Sequence, residues 1–188
     1  MSDADDIVES MSELQKHIVL LLASNNKEPI KGNTYFQKEL FLIAKNIKQI
    51  GEEASFVSDF YGPFSENAKE QMDELKLDEV VSRLGNNRMS LSKMGNEVAE
   101  KIIKKTPNAI LEMISEFKSL LNDLTEDELL TLIYFSFPDY TDESLVLNKI
   151  KKNRKLMAIR LYRKEKISIQ RAAEIAEEPL ERFVKENE

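Results

Sequence analysis

The chain has 188 residues, 41% of them hydrophobic and 32% charged, enough for one good core with an appended segment. It contains no cysteine, which excludes disulfides and thiolate chemistry, and its longest apolar run, Ile18 to Ala23, is too short to span a bilayer. The net charge of −7 is unevenly spread: residues 1–148 carry 15 Lys and Arg against 27 Asp and Glu, net −12, whereas residues 149–188 carry 12 against 7, net +5.

Ile7, Met11, Leu14, Ile18 and Leu21 recur at helical spacing and predict a helix over about 5–24, with Asp3, Asp5 and Asp6 at the positive end of its dipole. Asn25 to Asn33 reads as a loop. Thr34 and Gln37 have the spacing of a capping box for a helix through Phe36, Leu40, Phe41, Ala44 and Ile47, with Gly51 at its C-terminus. Ala54 to Phe60 should be extended or irregular. Tyr61-Gly62-Pro63 is a turn, because glycine permits positive φ and proline cannot continue a ladder. Gly62 is therefore expected in a conformation costly for other residues, with Tyr61 packed on the helices.

Ser65 then caps a helix through Ala68, Met72 and Leu75. Val80, Val81 and Leu84, followed by Gly85-Asn86-Asn87 and by Met89 and Leu91, predict a hairpin. Ser92 caps the next helix, through Met94, Val98, Ile102 and Ile103. Pro107 opens another, lined by Ile110, Ile114, Phe117 and Leu121. Thr125 and Glu128 form a second capping box, for a helix ending before Pro138. Thr141 is the expected cap of a helix entering the basic run, and Ile167 to Glu188 reads as two short helices with a break near Glu177-Glu178-Pro179. The expected fold is mostly α. Residues 1–105 would be a winged helix-turn-helix with a small β-hairpin wing, 106–148 a helical extension, and 149–188 a basic helix with a second helix-turn-helix-like segment.

Little in the sequence points to catalysis. The single histidine, His17, lies between core positions Leu14 and Ile18 and reads as structural. Without Cys or a second His, a transition-metal site lacks ligands, no phosphate-cradling glycine loop is present, and no cofactor or metal is expected. A carboxylate-held hard cation is the one enzymatic alternative. The acidic start, Ser2-Asp3-Ala4-Asp5-Asp6, is unlike a secretory leader, so the expected compartment is the cytoplasm.

Binding residues are easier to nominate. Lys149 to Arg171 holds ten basic residues and one acid, Glu165, with Leu156, Ile159 and Leu161-Tyr162 as the expected apolar side. DNA, if bound, would be held weakly and without sequence preference by Lys151, Lys152, Lys155, Arg160 and Arg163, with Arg88 of the wing assisting. The competing reading is a solvated face that pairs with acids of the same protein. The helix in recognition position, Ser65 to Lys76, carries Glu66, Glu70, Asp73 and Glu74 against Lys69 and Lys76. Its net negative charge should repel a duplex, and Lys69→Glu should then change little.

Two resemblances follow. Tyr35-Phe36-Gln37-Lys38-Glu39-Leu40-Phe41, Phe60-Tyr61-Gly62-Pro63-Phe64-Ser65 and the helix to Leu75 resemble Panacea-type antitoxin domains and related winged-helix proteins, over about residues 34–105. Leu161-Tyr162, Ile167-Ser168, Ala172-Ala173, Ala176 and Phe183 resemble a short prokaryotic helix-turn-helix family often read as antitoxins. Glu165 and Glu177 stand where that family usually has glycine. The resemblances imply a non-enzymatic regulator, an antitoxin or transcription factor, with a toxin-like protein partner; the charge distribution adds DNA held weakly, the short apolar runs imply no membrane, and a homodimer is left open. The alternative is a pure protein-interaction module with no nucleic-acid role.

Overall fold

A computed structural model describes residues 3–187. It is mostly helical, with two small two-stranded sheets. The chain forms two units. Unit 1 comprises residues 3–56 and 64–123; unit 2 comprises residues 57–63 and 124–187.

Unit 1 starts with α1 (Asp3–Ser10) and α2 (Glu13–Lys27). The continuous helix expected over 5–24 is interrupted because Ser12 opens a capping box of its own. Its Oγ accepts from Gln15 N at 3.1 Å, and Gln15 Oε1 accepts from Ser12 N at 3.0 Å. Near its end α2 breaks at Ser24, and Asn25 and Asn26 take left-handed φ of 51° and 53°. Ile30 then forms a single antiparallel bridge with Met89.

α3 (Asn33–Asn46) has Gly32 at its N-cap and no side-chain cap. The capping box expected from Thr34 and Gln37 is absent. Gln37 is buried and gives its amide to a distant backbone: Nε2 donates to Ser65 O at 3.0 Å and Oε1 accepts from Ser65 N at 2.9 Å. Gly51 does not terminate this helix either. It lies inside α4 (Lys48–Ala54), where an added Cβ would sit 2.8 Å from Ala44 O.

α5 (Glu66–Leu77) starts at Ser65 as expected, with Ser65 Oγ accepting from Ala68 N at 2.9 Å and donating to Ala54 O. β3 (Val81–Arg83) and β4 (Met89–Leu91) form the expected hairpin, pairing Val81 with Leu91 and Arg83 with Met89. Asn86 and Asn87, both at positive φ, form its tip. Asparagine tolerates that region better than most residues. α6 (Lys93–Ile103) follows the Ser92 cap, and Gly95 is required there, since a Cβ would stand 2.0 Å from Val80 O.

α7 (Asn108–Asn122), assigned from sequence to a separate extension, packs within unit 1 against α2 and α3. Pro107 is its N-cap residue rather than its first helical residue. Leu14, Ile18, Leu21, Phe36, Leu40, Leu75, Ile114 and Leu121 are buried in the core of this unit.

Unit 2 holds β1 (Val57–Asp59), most of β2 (Gly62–Phe64), and α8 (Glu126–Ser136), which opens on the expected Thr125–Glu128 capping box. Thr141 caps no helix: its hydroxyl donates to Pro138 O at 2.7 Å, and α9 (Leu147–Arg163) starts only after Val146. α10 (Ile169–Ala176) and α11 (Leu180–Asn187) are the two short helices expected. Ala158, Ala172, Ala173, Ile175, Ala176 and Phe183 form their shared core, where small side chains let α9 and α10 approach closely. Among the described residues no helix is long and apolar enough to cross a membrane.

Candidate nucleic-acid and partner interfaces

α9 buries Ile150, Met157, Ala158 and Leu161 along one side, which turns the remaining positions to solvent. Half of the ten cations in Lys149–Arg171 are committed to acids of unit 2. Lys149 pairs with Asp127 at 2.7 Å, Arg154 with Glu177 at 2.7 Å and Lys164 with Glu128 at 2.9 Å. Lys155 reaches Glu178 at 2.6 Å and Glu186 at 2.9 Å, and Arg171 reaches Glu174 at 2.8 Å. The Lys155 and Arg182 hydrogen bonds hold the Glu186 carboxyl well below its ordinary range, at about 2. Glu128 is also held low: burial pushes it up, but the Lys164 and Thr125 hydrogen bonds outweigh that.

Of the other five, Lys166 is half-buried and has a partner of its own, which leaves Lys151, Lys152, Arg160 and Arg163. All four are exposed and make no ion pair among the described residues. They run along about 18 Å of helix, with exposed Leu156 between them. Four of the five C-terminal residues nominated from sequence are thus available to phosphates. Lys155 is already tied to two carboxylates. Arg88 lies in unit 1 at the exposed hairpin tip, where its Nε donates to Gly85 O at 3.3 Å.

Phe60 and Tyr61 make the turn from β1 to β2, and Gly62 and Pro63, expected within the turn, are instead the first two residues of β2. Gly62 takes φ +84°, and a Cβ there would lie 2.5 Å from Tyr134 Cε1. Tyr134 is buried, and its hydroxyl shares a 2.8 Å hydrogen bond with Ser144. Tyr61 does not pack on the helices as expected: it is 47% exposed, because Gly62 and Pro63 take the buried positions. Beside it Phe60 and Leu145 are exposed, joined by a 3.0 Å bond from Leu145 N to Phe60 O. Sequence reasoning did not find this apolar surface. Its signal is compositional: residues 54–64 and 135–148 contain no Lys or Arg but include Asp59, Asp139, Asp142 and Glu143.

The core of unit 1 also holds an unexpected charged pair. Glu39 is fully buried and both carboxylate oxygens lack a hydrogen-bond partner. Burial pushes its carboxyl up to about 8, against the opposing pull of Lys118. Lys118 is itself buried and pushed down to about 8, while its Nζ donates to Leu22 O at 3.3 Å and Ser24 O at 3.1 Å. It thereby caps the carbonyls at the break in α2. His17, in α2, has Nδ1 at 2.8 Å from Glu13 O, a local contact. Among the described residues no three His, Asp or Glu side chains are grouped as a metal site would require. No protein-family model, curated protein or solved structure matches this chain.

Proposed function

We propose that this protein is a non-enzymatic regulator, antitoxin-like, that binds a protein partner and holds DNA weakly, without sequence preference, through α9. The observation that carries the nucleic-acid part is the set of four unpaired cations on α9 in a segment whose other cations are largely neutralised. The order of elements in unit 1 supports a winged-helix reading: α2, the Ile30 bridge to Met89, α3, the short inserted α4, α5, then the β3–β4 hairpin with its strand-like third partner.

Phosphates neutralised by Lys or Arg release counterions, so affinity should fall with salt in proportion to the contacts made. The test is retention of a mixed-sequence duplex over a salt series. Replacing Lys151, Lys152, Arg160 and Arg163 together by Glu should abolish binding. Single replacements should each lower the salt slope by about one and weaken all sequences alike. Parent-like binding by the quadruple variant would remove α9 as the interface.

A second reading, a pure protein-interaction module, is favoured by the Phe60, Tyr61 and Leu145 surface. Its acidic rim suits a partner segment that is basic and apolar. Under that reading the quadruple variant still captures its partner, while Phe60→Asp does not.

A further inference from the structure

We propose that unit 1 carries a phosphate-binding groove between α5 and the β3–β4 hairpin, separate from the basic face of α9 and independent of the function proposed above. Lys69 and Lys76, seven residues apart, lie on one side of α5. With Arg83 of β3 they line a groove of about 350 Å³, floored by buried Met72 and Met89 and completed by Asn33, Asp73 and Asn87. The lining holds three cations and one acid, in a stretch of chain whose net charge is strongly negative.

The acids that make α5 net negative do not cancel this. Glu66, Glu70 and Glu74 do not line the groove, although Glu66 reaches Lys69 from beside it. Asp73 is the exception and bonds Lys76 at 2.7 Å, while Lys69 bonds Glu66 at 2.5 Å. These are surface i,i+3 pairs, which contribute little net stability and can yield a lysine to a doubly charged anion. Arg83 makes no ion pair among the described residues and offers a planar fork suited to two phosphate oxygens.

The N-terminus of α3 adds to the same place. α3 begins at Asn33, on the groove wall, and its N-cap residue, Gly32, supplies no side-chain cap. Gly32 lies close to the hairpin tip, with its would-be Cβ 3.9 Å from Asn87 O. The positive end of a fourteen-residue helix thus lies beside three cations, an arrangement that attracts anions.

The ligand chemistry is a phosphate group, free or within a nucleic-acid backbone. The probes are inorganic phosphate and a short mixed-sequence duplex, added to the full chain and followed by amide chemical shifts. Phosphate should shift Asn33, Asn87 and Arg83 saturably. Arg83→Glu should weaken this by an order of magnitude or more, and Arg83→Gln should do so in part with the fold intact. The quadruple Glu variant of α9 should leave phosphate binding unchanged, so failure here and failure of the α9 interface are separable. If the duplex displaces phosphate from the groove, the source is nucleic acid; if it does not, the groove serves a small phosphorylated ligand. No saturable shift, or a shift untouched by Arg83→Glu, overturns the proposal.

Discussion

A carboxyl group with no hydrogen-bond partner inside a protein is expensive, and Glu39 in α3 is such a group. Lys118 attracts it, yet makes its own hydrogen bonds to carbonyls at the end of α2. Burial therefore dominates both, raising the acid and lowering the base to about 8. The sign of the pH dependence follows. Between the ordinary carboxylate value and about 8 the folded chain keeps a proton that the unfolded chain releases, so stability falls as pH rises through that window. Lys118 works the other way. Its contribution is present above the ordinary lysine value and is lost as pH falls toward about 8. Stability should pass through a minimum near pH 8. Glu39→Gln should remove the acid-side slope, on the order of 3 kcal/mol between pH 5 and 8. Denaturant titrations at several pH values measure it, and an unchanged slope in the variant would show that Glu39 does not govern the pH dependence.

Three helices end on the same motif with the same unfavourable residue. After α5, Val80 N donates to Leu75 O at 2.9 Å; after α9, Lys166 N donates to Leu161 O at 2.9 Å; after α10, Glu178 N donates to Ala173 O at 3.0 Å. Each is the closing bond of a Schellman motif, and each needs a left-handed residue just before the donor. Those residues are Glu79, Glu165 and Glu177, at φ 56°, 58° and 55°. Glycine would adopt that backbone without a Cβ penalty. Glu177 is partly compensated by its ion pair with Arg154. Glu165→Gly and Glu79→Gly should each raise stability by roughly 0.5–1 kcal/mol. Lying in different units, the two changes should add. Denaturant midpoints read the effect; a loss of stability in both variants would mean that the glutamate side chains do more than occupy a turn.

Across the whole molecule, unit 2 is assembled from two pieces of chain with residues 64–123 of unit 1 between them. The shorter piece is integral to it. Phe60 O accepts from Leu145 N, Ser58 Oγ accepts from Glu143 N at 3.1 Å, and Gly62 seats against Tyr134. Such pairings close a long loop and depend on a good local fit to offset the entropy. Gly62→Val would strain the φ of +84° and drive a side chain into a buried ring. It should lower stability by at least about 1 kcal/mol. Amide-exchange protection should fall in α8 while α2 keeps its own. A melt and exchange pattern like the parent's would show that the turn is dispensable to unit 2.

The sequence by itself determined what depends on neighbours three or four residues away. The Ser65, Ser92 and Thr125 caps, the Asn86-Asn87 tip and the positive φ of Gly62 all follow from short hydrogen bonds or from the sterics of one residue. Exposure of much of the charge on α9 was legible too, but its apolar side was only partly so: Leu161 is buried as expected, whereas Leu156 is exposed and Ile150, Met157 and Ala158 take the buried positions. Tertiary structure decided where a side chain had several uses. Gln37 had the spacing of a local cap and instead binds Ser65, 28 residues on, because burial leaves its amide and that backbone no other partner. Lys155 had the composition of a phosphate contact and was taken by Glu178 and Glu186, which only the packing of α10 and α11 brings within reach. Lys69 and Lys76 belonged to an acidic helix on paper. Counting charge along a chain does not show which side chains share a surface, and the groove where Lys69 and Lys76 meet Arg83 exists only once α5 packs beside β3.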